Sequence, residues 1–301
     1  MKPYTMNWIL LMILSAVWGG AFTLNKQALE TFTPEFIVAG RLIVGSIVLL
    51  ILVFIIHKRI VITIKQWPYF LFMSLVGIVA PFLLIAYGQK NIDSSLAGIL
   101  MSTMPISTLI LSHFFLDDER MTKTKLVGFI IAFFGIIILI IPEKNLLSEN
   151  SFNNLSSELM VIGGAILYSF AAVYGKKFKI TDPLNASSGT ILFSAIIMFL
   201  YLYFFENIDQ TYVNNNNIFS VIFLGIFCTA IATIIYFQIL QTSGATFVSI
   251  MNYLIPIWSI FFGVIFFSEN IFWNYIIGLI IVIIGIQIFQ NNGLLNKIEK
   301  Q

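Results

Sequence analysis

Ser102-Thr103-Met104-Pro105 and Tyr253-Leu254-Ile255-Pro256 each place a proline near the middle of a long apolar run, about 150 residues apart. Proline inside a helix has no N–H to give and leaves the carbonyl four residues earlier without its partner. Pro105 therefore frees the carbonyl of Met101, and Pro256 that of Asn252. Further pairs keep the same offset. Glu119 precedes Gly128 and Gly135 as Glu269 precedes Gly278 and Gly285, and Trp18 to Lys26 parallels Tyr168 to Lys176. Matches in one order along the chain mark an internal repeat.

Reading outward from the two prolines, ten runs approach the 20 or so apolar residues that cross roughly 30 Å of hydrocarbon. They are Trp8–Ala28, Pro34–Ile56, Trp67–Gly88, Ser94–Leu116, Lys125–Ile141, Ser156–Lys176, Leu184–Phe205, Ile218–Leu240, Ala245–Phe267 and Phe272–Phe289. None alternates apolar and polar residues as barrel strands do. Of the 301 residues, 59% are apolar and 10% charged, with mean hydropathy +0.96. Soluble domains carry about 25% charged residues. So little charge cannot cover a water-facing surface, and the expected fold is an all-α integral membrane protein of ten transmembrane helices. The first run is too long for a signal-peptide core and lacks a small-residue cleavage site, so it is read as retained.

Five helices fall in each half, residues 1–144 and 155–301. An odd number sends the second half into the membrane from the opposite side, which makes the repeats inverted. Inverted repeats recur among secondary transporters, with substrate bound near midplane. With a cytoplasmic N-terminus, the inner segments carry twelve cations, including Lys58, Arg59, Arg120, Lys123, Lys176 and Lys177. The outer segments carry three, Lys26, Lys90 and Lys144. This positive-inside bias places both termini in the cytoplasm of a cell inner (plasma) membrane protein.

The motifs missing from the sequence narrow its chemistry. There is no Gly-x-x-x-x-Gly-Lys-Ser/Thr phosphate loop, no His-Glu-x-x-His and no Gly-x-Ser-x-Gly. Two histidines and one cysteine make no plausible zinc set. No enzyme activity, cofactor, metal or nucleic-acid partner is expected. The expected partners are a small-molecule substrate and membrane lipid. The Gly19-Gly20 and Gly163-Gly164 pairs permit close helix approach within one chain or between two, so monomer and homodimer both remain open.

Ser15-Ala16-Val17-Trp18-Gly19-Gly20 resembles the opening of EamA-type members of the drug/metabolite transporter superfamily. Pro105, the segment Leu116-Asp117-Asp118-Glu119-Arg120-Met121-Thr122 and the glycine-spaced helix after it are similar too. The resemblance covers nearly the whole chain as two EamA repeats. It implies a ten-helix transporter of small organic solutes, often amino acids or other metabolites moved outward. It also implies a central cavity lined mainly by helices one, three, four, six, eight and nine. Ser268-Glu269-Asn270 lacks the arginine that follows Glu119, so a matching charge contact in the second half is not expected.

The candidate substrate contacts gather at mid-depth. Trp18 and Tyr168 are repeat equivalents; they either stack on a ring, contact an organic cation or pack as ordinary core. Met101, Ser102, Asn252 and Tyr253 flank the two helix-breaking prolines, Pro105 and Pro256. The freed carbonyls there either face a polar cavity or are satisfied by neighbouring helices. Tyr87, Gln89, Tyr236 and Gln238 sit near helix ends as gates, rims or interface anchors. Arg41 is an intramembrane charge, read as structural and within snorkelling reach of the outer face, with Glu35 or Asp93 as partner. Its rival reading is an anion contact. His113 reads as a boundary histidine, and Lys26 and Lys176 as topology and rim charges. No acidic residue falls at mid-depth, which speaks against a carboxylate proton or sodium relay. An importer of the same fold and a non-transporting membrane scaffold or receptor are the competing functions.

Overall fold

The computed structural model describes residues 3–56, 62–118, 121–140, 151–178, 182–205, 215–269 and 273–298. Among them the chain is helical throughout, and the ten apolar runs become ten long helical units. They are α1 (Pro3–Leu29), α2 (Pro34–Ile56), α3 (Ile64–Gly88), α4 (Ser94–Phe115), α5 (Lys123–Ile140), α6 (Ser151–Lys177), α7 (Pro183–Phe205), α8 (Asn217–Ser243), α9 (Ala245–Phe267) and α10 (Trp273–Ile298). All but α5 and α10 are long and apolar enough, over their described residues, to cross a membrane. Glu119 and Arg120 lie outside the described residues, as does the whole segment between α5 and α6.

Three helices run past their expected ends, among them α1, which begins at Pro3. α6 begins at Ser151, inside what the sequence reads as a loop, and α10 continues to Ile298. Backbone hydrogen bonding does not stop where apolar residues stop, so a polar extension can stay helical beyond the hydrocarbon. The outward faces are apolar. Phe54, Tyr203 and Phe205 are more than 70% exposed, and lipid is the solvent that suits them. This is a multi-pass membrane protein.

The repeat glycines pack α5 antiparallel against α10. A Cβ built on Gly135 would lie 2.8 Å from the Gly278 carbonyl oxygen, and one on Gly285 would lie 2.6 Å from that of Gly128. The contact is reciprocal between equivalent positions, as a two-fold relation between repeats requires. Other contacts exchange in the same way. The α1 face at Gly19 meets the Ile255 carbonyl of α9. Correspondingly, Ser169 of α6 donates to the Met104 carbonyl of α4 at 3.0 Å. Gly225 of α8 abuts the Arg41 carbonyl of α2, while Ser74 of α3 donates to the Thr190 carbonyl of α7 at 2.8 Å. Gly19 and Gly164 both spend their small size within the chain, Gly164 against the Pro81 carbonyl.

Four helices are irregular, in equivalent pairs. α3 has a π turn at Leu75–Val79 and α8 one at Ile226–Ile231. In α4 and α9 the proline of each repeat lies just after a break in regular winding. α4 tightens to a 3-10 turn at Met101–Thr103, and α9 breaks at Ile250. The Met101 carbonyl is taken by the Met104 N–H. The Asn252 carbonyl accepts the Ser102 hydroxyl at 2.9 Å, from the other repeat. In the described geometry both freed carbonyls are therefore satisfied inside the protein. At the α8–α9 junction Gly244 has φ 91°, where a side chain would be strained.

Candidate functional site

A cavity of about 50 Å³ lies between the repeats at mid-depth. α1 contributes Trp18, Ala21, Phe22 and Asn25, whose spacing puts them on one helix face. α3 contributes Phe82 and Ile85, with Gln89 just past its last residue, and α4 contributes Met101 and Met104. Tyr168 of α6, Tyr236 of α8, and Asn252 and Ile255 of α9 complete the wall opposite. These are the six helices that the resemblance implies. α2 joins them through Arg41.

Aromatic rings fill most of the space. Trp18 stacks near Tyr168 with centroids 6.4 Å apart, lies 5.8 Å from Tyr236, and Phe82 meets Tyr168 edge-on at 6.4 Å. Toward the Asp93 end of the bundle the buried Gln89 lines the space. It accepts from Asn25 at 2.8 Å and donates to the Phe22 carbonyl at 2.9 Å. Toward the Gly244 end, Tyr174 stacks on Tyr69 at 5.9 Å and meets Phe72 at a tilt, with centroids 4.1 Å apart.

Arg41 departs from its expected partners. The Glu35 carboxylate accepts from the Tyr87 hydroxyl, and Asp93 pairs with Lys26 at 2.5 Å. Arg41 turns inward instead and is only 7% exposed. Its Nε donates to Thr229 Oγ1 at 3.0 Å, its Nη2 to the Cys228 carbonyl at 3.4 Å, and its Cζ lies 4.0 Å from the Phe82 ring centre. The cause is local. A π turn disturbs the regular ladder of α8 and makes the Cys228 carbonyl available to side chains. Trp18 Nε1 donates to the same oxygen at 3.0 Å. One irregular turn thus fixes both the cation and the central indole.

The sequence candidates divide cleanly. Trp18, Tyr168, Met101, Asn252, Tyr236, Gln89 and Arg41 line the cavity. Ser102 and Tyr253 are buried outside its lining, Ser102 on the Asn252 carbonyl and Tyr253 against Phe129. Tyr87 is 38% exposed at its helix end, and the Gln238 carbonyl accepts from Thr242. Pro105 and Pro256 shape α4 and α9 and do not touch the cavity. His113 is exposed at the end of α4, and its Nδ1 accepts from the Met121 N–H at 3.4 Å. Lys176 pairs with Asp118 at 3.6 Å, while Lys26 pairs with Asp93, so the two cations sit at opposite ends of α4.

Several contributors escaped the sequence reading. Asn25 is a lone amide in an apolar run, and that polarity was its visible signal. Phe22, Phe82, Ile85, Met104 and Ile255 carried none, because an apolar cavity wall reads like any apolar core. Glu269, expected to lack a charge contact, caps α4 instead. Its carboxylate accepts from the Ser94 N–H and hydroxyl at 3.2 and 2.7 Å, and from the Ser95 N–H at 3.2 Å and the Ser95 hydroxyl. A larger groove of about 530 Å³ runs between α1, α8 and α9. Its walls are apolar apart from Thr23 and Gln27, so it offers no set of directed polar groups.

Exchanged contacts between two halves and a cavity where they meet, apolar with a few inward polar groups, define an inverted-repeat membrane protein of the transporter class. The chain belongs to the EamA-like transporter family, which it matches over residues 6–141 and again over 155–289. It is 25% identical over 274 residues to the uncharacterized transporter YoaV of Bacillus subtilis, covering 91% of this chain and 92% of that one. An uncharacterized transporter of Archaeoglobus fulgidus is 28% identical, with 94% and 98% covered. Protein PagO of Salmonella typhimurium is 23% identical, with 83% and 81% covered. A solved crystal structure superposes with a TM-score of 0.75 at 16% identity over 94% of this chain and 96% of that one, a likeness of fold.

Proposed function

We propose that the protein is a secondary transporter that moves small organic metabolites, amino acids or related amphipathic solutes, by alternating access between its repeats. The observation that carries this reading is the mid-depth cavity walled by both repeats. Its 50 Å³ holds a water or two, whereas small-molecule sites run to about 300 Å³ or more. The state described is contracted, and solute enters when α4 and α9 part at their prolines. Outward flux is the direction that the family resemblance implies. Orientation with both termini cytoplasmic rests on the cation bias.

The test is the melting temperature of the purified protein across amino acids, amines, nucleosides and organic acids. A ligand at 100 times its dissociation constant stabilises the folded state by about 2.7 kcal/mol. We expect a hit that weakens in Trp18→Ala and Asn252→Ala while both variants stay folded. Unchanged affinity in both would place the solute elsewhere.

A further inference from the structure

We propose that Arg41 is the anion subsite of this cavity, and that the solute is a small carboxylate with an apolar or aromatic body and a hydrogen-bond donor for Asn252. The inference rests on the transport reading above and narrows its substrate class.

Arg41 has five N–H donors and no acceptor capacity. Two protein oxygens take Nε and one Nη2 hydrogen, and the other donors have no partner among the described residues. Its partners among the described residues are a hydroxyl, a carbonyl and a ring, all neutral, so the positive charge is solvated but not balanced. An uncompensated charge in a membrane interior is expensive, and such residues mark solute pathways. A carboxylate answers a guanidinium with two parallel bonds.

The fold does not demand this charge. Arg41 stands seven residues after Pro34, and Thr190 stands seven after Pro183. Thr190 occupies the equivalent place in the second repeat, where its carbonyl meets Ser74 as the Arg41 carbonyl meets Gly225. The backbone packing is the same on both sides, and only one side carries a cation facing the cavity.

A second group faces the same cavity without a partner. Asn252 is 1% exposed, and its Oδ1 has no hydrogen bond. Its Nδ2 is committed to the Ser249 carbonyl at 3.2 Å and to Met104 Sδ at 3.0 Å. That pairing fixes which end of the amide is oxygen, so a residue lining the cavity holds an idle acceptor, as another holds an unbalanced cation. Trp18, Tyr168 and Tyr236 form the wall against which an apolar body lies. Such rings could by themselves hold an organic cation, but Arg41 repels one. An ammonium or hydroxyl on the solute, near its carboxylate, supplies the donor for Asn252.

The experiment is counterflow exchange in proteoliposomes with four probes: phenylalanine, phenyllactate, phenethylamine and 2-hydroxy-3-phenylpropanamide. We expect the two carboxylates to exchange faster than the amine and the neutral amide by about tenfold or more. In Arg41→Gln the ratio of phenyllactate to amide exchange falls by about tenfold or more. A purely structural Arg41 would lower every probe alike and leave that ratio unchanged, which overturns the proposal. Equal wild-type exchange of amine, amide and carboxylate overturns it while leaving transport intact. So does competition by chloride alone with no carboxylate moved. If Arg41→Gln does not fold, the wild-type ranking decides. No probe moved by folded protein overturns the substrate class, and the transport reading fails with it if a cavity cysteine does not label from both faces of the membrane.

Discussion

Replacing Glu269 by glutamine removes half of the acceptor capacity that holds the start of α4. One carboxylate oxygen takes the Ser94 N–H at 3.2 Å and hydroxyl at 2.7 Å, and the other takes the Ser95 N–H at 3.2 Å and hydroxyl. The amide keeps the first pair as neutral bonds, roughly half as strong. It turns an NH2 toward the Ser95 N–H, donor against donor, and only the hydroxyl can rotate to accept. The negative charge at a helix N-terminus, worth about 0.3–1 kcal/mol, is lost as well. Hydrogen bonds to charged groups contribute about 1.5–3 kcal/mol. Glu269 is partly exposed, so solvent screens these terms, and the net loss expected is about 2 kcal/mol. SDS-titration unfolding in mixed micelles measures it, with Ser94→Ala/Ser95→Ala and the triple variant closing a cycle. A loss below about 0.5 kcal/mol, the range of ordinary surface changes, or strict additivity in the cycle, would refute the clamp.

Three further outcomes follow from the packing. Gly285→Ala puts a Cβ 2.6 Å from the backbone of Gly128 and Ala132, and should destabilise by about 1–3 kcal/mol on the same titration. Gly163→Ala meets only Leu84 Cδ1 at 3.6 Å and should be neutral or slightly stabilising. Ser102→Ala orphans the carbonyl freed by Pro256 and should lower stability by about 0.6–1.7 kcal/mol, the scale of interhelical bonds in membranes.

Much of the fold was legible because it obeys simple periodic rules. Apolar run length gave the helices, and the glycines at 128, 135, 278 and 285 marked the repeat but not the α5–α10 crossing that they make. The two prolines located the breaks in α4 and α9. The site was half legible. Trp18, Tyr168 and Asn252 stood out by repeat position and depth, but which way a side chain turns depends on packing that no spacing reveals. Ser102 and Tyr253 share the depth of Asn252 and turn away from the cavity. Arg41 was misdirected toward Glu35 or Asp93 because the π turn of α8, which creates its partner carbonyl, has no sequence signature. Glu269 was read for a missing arginine, while its true partner is a helix N-terminus built from Ser94 and Ser95.

The central claim, a repeat-interface cavity open alternately to each side, is tested most directly by one labelling measurement. Met101→Cys is made in a Cys228→Ala background, which removes the single natural cysteine. The protein is reconstituted in one orientation, and a small membrane-impermeant thiol reagent is added to either face in turn. Met101 is 4% exposed in the contracted state, so its labelling reports opening. The account predicts modification from both faces, slowed by bound solute. Modification from one face only, or from neither in folded protein, would contradict it.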